Sequence, residues 1–370
     1  MTEKKASLEE TVRNLLEDPV TERVDEPLSD SFIRKGEYRS VVEDVESQTE
    51  RLVLSGDQKR ARVIYQALLM RATDESFTLE EQAEHAAHIE GGHIWTKMLD
   101  DLEDDDDTRN LEKTIHKMLE DKIGEESEFT KFLTLNHLLC LRSRNYRIVR
   151  DSEFLSDSKK LEVLDVLWEA EERLARGQNF DLLSTRIAEN PELQEKLGLD
   201  DELDIEDLLM ETNRLKTSSL FKASVETVES ISERELPEVA RSAVKTGQAF
   251  QIWDDVLDIR KKRYSDLEET NYTIPILYAQ RELLNSASRE KKERGKELKS
   301  ILAQDETTPE EREKAADIIR STSALEQAEK KCTELIEEAN RLLETPEWEN
   351  PKPIRQLKEF NKALGYKRPK

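Results

Sequence analysis

Asp100, Asp101 and Asp104 stand at i, i+1 and i+4, and Asp254, Asp255 and Asp258 repeat that spacing. On a helix the first and last members of each triad lie about 40° apart on one face. Carboxylates so crowded repel one another until a cation neutralises them, and hard oxygen ligands that leave positions open for phosphate suit Mg²⁺. Two such faces opposed across a helical bundle would hold a diphosphate between metal ions. The triads differ in their surroundings. The first belongs to DDLEDDDD, Asp100 to Asp107, which in an acidic chain also reads as a solvated loop. The second lies in GQAFQIWDDVLD, Gly247 to Asp258, among Phe250, Ile252, Trp253, Val256 and Leu257, where carboxylates left unpaired would be costly. Arg109 follows Asp100 by nine residues, so an unbroken helix would carry it to the opposite side. It can serve the same ligand only if the helix ends near Asp104, and Asp105-Asp106-Asp107-Thr108 is where that break would fall.

The elements that must position these residues are helices. Gly and Pro occur only 10 times each in 370 residues, and Glu, Lys, Leu, Ala and Arg recur throughout, which favours long helices with few sharp turns. The chain is read as all-α, with residues 1–40 as an appendage and 41–370 as one helical domain. Breaks are expected at Ser55-Gly56-Asp57, Asp104 to Asp107, Asn190-Pro191, Leu236-Pro237 and Thr308-Pro309. The stretch of about 286–330 is rich in Lys and Glu and predicts a solvated, peripheral helical hairpin.

Lys and Arg number 58 against 83 Asp and Glu, a net charge of −25, which argues against unspecific binding to nucleic acid or anionic membrane. Acidity spread along the whole chain is what adaptation to high salt produces, a halophilic source, although a merely acidic protein gives the same balance. No run of about 18 apolar residues and no apolar leader is present, so a cytoplasmic protein without stable membrane insertion is expected. Cys140 and Cys332 form no pair or Cys/His cluster suited to a disulfide framework or zinc site.

Five stretches, in order over about residues 50 to 280, resemble the trans-isoprenyl diphosphate synthase (polyprenyl synthetase) family. DQKRAR, Asp57 to Arg62, resembles its GKRxRP, and EGGHIWTKMLDD, Glu90 to Asp101, the helix that leads to its first aspartates. RGQNFDL, Arg176 to Leu182, resembles GQxxDL, KTSSLF, Lys216 to Phe221, resembles KTxxLF, and Gly247 to Asp258 is a nearly complete second DDxxD preceded by GxxFQ. The resemblance implies a helical bundle of the isoprenoid synthase type with a central cavity, and a magnesium-dependent prenyltransferase. It would join an allylic diphosphate to isopentenyl diphosphate as a homodimer, with three magnesium ions per active site.

Carried onto this sequence, the family pattern makes Asp100, Asp104 and Asp254 magnesium ligands, with Asp101, Asp255 and Asp258 as further ligands or supporting carboxylates. Arg109 and Lys216 would hold the allylic diphosphate. Lys59, Arg62 and His93 would hold isopentenyl diphosphate, with Arg60 nearby, and Thr217 and Gln251 would flank the forming carbocation. Trp95 and Thr96, five and four positions before Asp100, would form the floor that limits the product to about 15 to 20 carbons, about 6 to 8 Å down the helix.

Some positions depart from the family. Asn110 stands where it has a second Arg, LEKTIH, Leu111 to His116, lacks its Gly and Pro, and Asn271 replaces a Lys. The connection from Asp258 to Asp266 is short, and its run Arg260-Lys261-Lys262-Arg263 could supply the missing charge. These departures motivate a rival reading as a noncatalytic paralogue or regulatory subunit of a heteromeric synthase. A class I terpene cyclase is a third reading, opposed by Lys59, Arg60 and Arg62, because a cyclase has no second diphosphate to hold.

Overall fold

The computed structural model describes residues 61–109, 112–123, 128–189, 204–304 and 307–365. The appendage expected at residues 1–40, Lys59, Arg60, Asn110 and the side chain of Arg109 lie outside that description, as do the breaks expected near Gly56 and Pro191. Among the described residues fourteen helices accompany one hairpin of two-residue strands, so the all-α expectation holds. The chain divides into two units: Met1–Trp168 with Ala223–Glu235 and Trp348–Leu357, and Glu169–Lys222 with Leu236–Glu347 and Lys358–Lys370.

The first unit contains α1 (Ala61–Thr73), α2 (Leu79–Glu103), the strands β1 (Thr108–Arg109) and β2 (Glu112–Lys113), α3 (Ile115–Ile123), α4 (Glu128–Arg150) and the start of α5 (Asp157–Glu189). Helix α2 packs against α1 and α4. Their shared interior holds Tyr65, Leu69, Met70, Ile89, Ile94, Leu138 and Leu141, all buried. A capping box starts α2: the Glu81 N–H donates to the Thr78 hydroxyl at 3.2 Å while the Thr78 N–H donates to the Glu81 carboxylate at 2.7 Å. The helix stops at the expected break. Asp104 caps it, and Asp105 adopts a left-handed φ of 59°, which ends the i→i−4 ladder.

The second unit continues α5 and contains α6 (Ile205–Leu215), the first turns of α7 (Thr217–Ser232), α8 (Pro237–Arg260), α9 (Ser265–Glu268), α10 (Ile274–Leu284), α11 (Arg289–Leu302), α12 (Pro309–Arg320), α13 (Ala324–Leu342) and the end of α14 (Pro351–Gly365). Pro237 and Pro309 open α8 and α12 at the expected breaks, where a missing N–H is harmless. Helix α8 lies along α13, and the core gathers Ile252, Trp253, Val256 and Ile259 of α8 with Cys332, Leu335 and Ile336 of α13. The Lys- and Glu-rich helices α11 and α12 expose their charged face, while Leu298, Ile301, Leu302, Ile318 and Ile319 on the other join the same core. Burying one such side chain contributes about 1.5–3 kcal/mol. Among the described residues no helix is long and apolar enough to cross a membrane.

Candidate active site

In the second unit, the chemistry-bearing residues converge on the junction of α6 and α7. Lys216 caps α6 with non-helical backbone angles, and α7 starts at the next residue. Two glycines make room for this joint. A Cβ on Gly177 of α5 would come within 2.6 Å of the Lys216 nitrogen, and one on Gly247 of α8 within 2.6 Å of the Ser218 Cα. Any larger residue at either place would push the helices apart, so both glycines of the matched motifs follow from close backbone approach. The joint aims two side chains. Lys216 Nζ donates to Asp181 Oδ2 at 2.5 Å, and Thr217 Oγ1 donates to Gln251 Oε1 at 2.5 Å. Gln251 Nε2 in turn donates to Asp255 Oδ1 at 2.9 Å. Lys216, Thr217, Gln251 and the second triad are therefore brought together.

The triad itself is graded in burial. Asp254 has a side chain 47% exposed, whereas Asp255 and Asp258 are buried. Burial, with the negative charges of Asp254, Asp258 and Asp181, pushes the Asp255 carboxyl up to about 8, against the Gln251 hydrogen bond. Burial also raises Asp258, opposed by Ser265 and Arg263. Asp266 is raised well above the usual carboxylate range, by burial and by Asp255, Asp258, Glu269 and Asp254. Carboxylates crowded in this way ionise together more readily beside a cation. Among the described residues no three acidic, His or Cys side chains converge as a complete metal cage. Mg²⁺ usually takes one or two protein carboxylates and fills its octahedron with phosphate oxygens and water. The oxygen-only donor set and the buried Asp258 Oδ2, which makes no hydrogen bond, fit such an ion.

In the first unit α2 carries the other triad. His93 and Asp100 are seven residues apart and share a face to within about 20°, so His93, Asp100 and Asp104 follow one another along the helix. Asp101 is buried. Asp105, just beyond the cap, is bound by Lys131 at 3.1 Å and by Lys117 and His116 at 3.2 Å. Burial raises its carboxyl, but the Lys131 and Lys117 contacts more than offset this and hold it below the usual range. The acidic run is thus divided: the triad stays on the helix, and Asp105 fastens the following loop. Burial pushes the Arg62 guanidinium down to about 10, against the attraction of Glu90.

The Trp95 side lies about 140° around α2 from Asp100. Its ring is covered by the Arg142 guanidinium of α4, 5.9 Å from the ring centre, and Arg142 also lies 5.5 Å from the Tyr146 ring. Thr96 Oγ1 donates back to the Gly92 carbonyl at 2.8 Å and the His93 carbonyl at 3.1 Å.

Sequence reasoning gave no role to Asp181, Glu269 or Asp266. Asp181 is the acidic residue of the quoted RGQNFDL stretch, which was a usable signal. Asp266 and Glu269 carried none, because they return to the triad only through the turns at Lys262 and Tyr264, both with left-handed φ. Asn271 Nδ2 donates to Glu269 Oε2 at 2.5 Å. A separate cavity of about 580 Å³, lined by Glu206, Tyr278, Arg281, Lys331 and their neighbours, holds none of the predicted residues. Its charges pair among themselves, Arg281 with Glu206 at 2.7 Å and Lys331 with Glu206 at 3.0 Å.

The polyprenyl synthetase family model matches residues 45–319, about three quarters of the chain and both triads. The chain belongs to the polyprenyl synthetase family. It is 27% identical over 252 residues to the short chain isoprenyl diphosphate synthase of Methanocaldococcus jannaschii, covering 65% of this chain and 67% of that one. It is 26% identical over 273 residues to the geranylfarnesyl diphosphate synthase of Aeropyrum pernix, covering 70% and 74%. The fold is shared with solved structures. A geranylgeranyl pyrophosphate synthase from Corynebacterium glutamicum, complexed with isoprenyl diphosphate and magnesium, superposes with a TM-score of 0.78 at 20% identity over 95% of this chain and 98% of that one. A polyprenyl synthase from Caulobacter crescentus, complexed with calcium and isoprenyl diphosphate, gives 0.70 at 18% identity over 99% of each.

Proposed function

We propose that this protein is a magnesium-dependent prenyltransferase that condenses an allylic diphosphate with isopentenyl diphosphate into a trans-prenyl diphosphate of about 15 to 20 carbons. The observation that carries the reading is the convergence of Lys216, Thr217, Gln251 and the second aspartate triad inside a chain of this family. Asp100, Asp104 and Asp254 are the proposed ligands of the metal ions, with Asp101, Asp255 and Asp258 behind them. When bound, the ions would neutralise the diphosphate as it leaves the allylic carbon.

The chain's own groups account for the rest. Lys216, held by Asp181, offers its ammonium to the allylic diphosphate together with Arg109. Lys59, Arg60, Arg62 and His93 hold the second diphosphate. The Thr217 hydroxyl is turned by Gln251, and both oxygens carry partial negative charge, which favours a developing carbocation beside them. The alkene of isopentenyl diphosphate supplies the electron pair of the new bond as the allylic carbon–oxygen bond breaks, and the proton lost from the adjacent carbon passes to the released diphosphate. No protein nucleophile is required.

Asn271 bonded to Glu269 supplies no cation at its position, which keeps a noncatalytic paralogue as the second reading. Purified protein incubated with Mg²⁺, isopentenyl diphosphate and each allylic diphosphate, at low and at molar salt, distinguishes the two. Chromatography of the lipid products should reveal elongation. No product with any primer at either salt would refute the proposal.

A further inference from the structure

The basic run after α8 has four members, and the structure gives them separate tasks. Arg260 pairs with Glu329 at 2.6 Å and Lys262 with Glu313 at 2.9 Å, and Lys261 is exposed. Arg263 alone turns back to the triad. Its Nη2 donates to Asp254 Oδ1 and to the Asp254 carbonyl, both at 3.2 Å, and its Nε lies 3.7 Å from Asp258 Oδ1.

The backbone dictates this direction. The Lys261 N–H bonds the Leu257 carbonyl and the Arg263 N–H bonds the Asp258 carbonyl, closing the helix with Lys262 in the left-handed conformation usually given to glycine. Tyr264 is left-handed as well. Two such residues, one on each side of Arg263, persist only where neighbours hold them, and helix α12 does so. Tyr264 Oη donates to Glu313 Oε2 at 2.8 Å, Arg320 Nη2 donates to Tyr264 Oη at 2.6 Å and to the Ile259 carbonyl at 2.7 Å, and the Arg320 guanidinium covers the Tyr264 ring at 5.4 Å. The Lys- and Glu-rich hairpin therefore clamps the loop that carries Arg263.

We propose that Arg263 is the cationic arm of the second triad, which pairs with Asp254 and Asp258 while no metal is bound and turns to a diphosphate once divalent ions take those carboxylates. Its side chain is 46% exposed, so the turn requires no unpacking, and a guanidinium can bind two diphosphate oxygens at once. This would replace the charge missing at Asn271, with Glu313 and Arg320 as positioning residues. The proposal rests on the prenyltransferase reading but is tested apart from it.

Isothermal titration of the full chain with inorganic pyrophosphate in Mg²⁺ provides the readout, alongside titration with Mg²⁺ alone. Arg263→Gln should weaken Mg²⁺-dependent pyrophosphate binding about tenfold or more, and Mg²⁺ alone should bind no more weakly, because a competing cation is gone. Arg263→Lys should recover part of the loss. Glu313→Gln, which leaves Arg263 in place but loosens its loop, should weaken pyrophosphate binding by a smaller factor and serves as the test if Arg263→Gln does not fold. Unchanged pyrophosphate affinity in folded Arg263→Gln, or in Glu313→Gln when the former does not fold, overturns the Arg263 assignment and leaves the prenyltransferase reading intact. Failure of the unaltered protein to make product in the elongation assay, with pyrophosphate still bound through Arg263, strikes the reading alone.

Discussion

One oxygen of the Asp258 carboxylate accepts the Ser265 N–H at 3.1 Å and its hydroxyl at 2.7 Å, while the other lies buried without a hydrogen bond. A residue read as a metal ligand from spacing therefore also fastens the start of α9 and brings Asp266 under the triad. That double use could not be seen in the DDxxD pattern, because it depends on a turn made by two left-handed residues that are not glycine. Other buried titratable groups serve stability. Burial pushes His85 down to about 4 and His88 to about 3, the His85 charge lowering His88 further and Glu81 opposing the shift at His85. Both folded values lie below the 6.5 of a free imidazole, so their stabilising contribution is complete above that pH and is lost as pH falls toward 4 and then 3. At pH 5 each imidazole costs about 2 kcal/mol. His88→Gln should flatten the fall in Tm between pH 7 and pH 5, and a slope equal to that of the unaltered protein would contradict this account.

Among the elements, the end of α2 was the most legible, because the polar run after Asp104 stops the helix where the break was expected. The break between α6 and α7 was not. KTSSLF contains no Gly or Pro and reads as continuous helix, and its interruption at Lys216 accompanies the close approach of Gly177 and Gly247 from two other helices. Pattern along one helix cannot report where a different helix will press on it. On α2, Trp95 faces Arg142 rather than the Asp100 side, so its influence on chain length would act through the α2–α4 contact. Trp95→Ala should shift the elongation products toward longer chains by chromatography. An unchanged product distribution would mean that the indole merely packs beneath Arg142.

At the level of the whole molecule, a net charge of −25 is combined with an uncovered apolar stripe. Phe129, Phe132, Leu135 and Leu139 lie within about 120° of one another on α4, and Phe132 is 60% exposed. So large an apolar face on so acidic a chain favours a covering partner, and a second copy is the occupant we propose. Sedimentation should give twice the chain mass for the unaltered protein and one chain for Phe132→Glu combined with Leu139→Glu. A monomeric unaltered protein would sink the homodimer proposal.

The sequence by itself determined the helical class, the stop of α2 at Asp104 and the helix starts at Pro237 and Pro309, and it singled out Lys216, Thr217, Gln251 and the second triad, because helix periodicity and the carboxylate spacing are local properties. Only the tertiary structure decided that Lys216 meets Asp181, that Asp266 joins the second triad and that Arg263, of four neighbouring cations, turns to it. Those outcomes depend on close helix approach and on a loop held by α12, and both arise between residues too distant in the chain for any local pattern to encode.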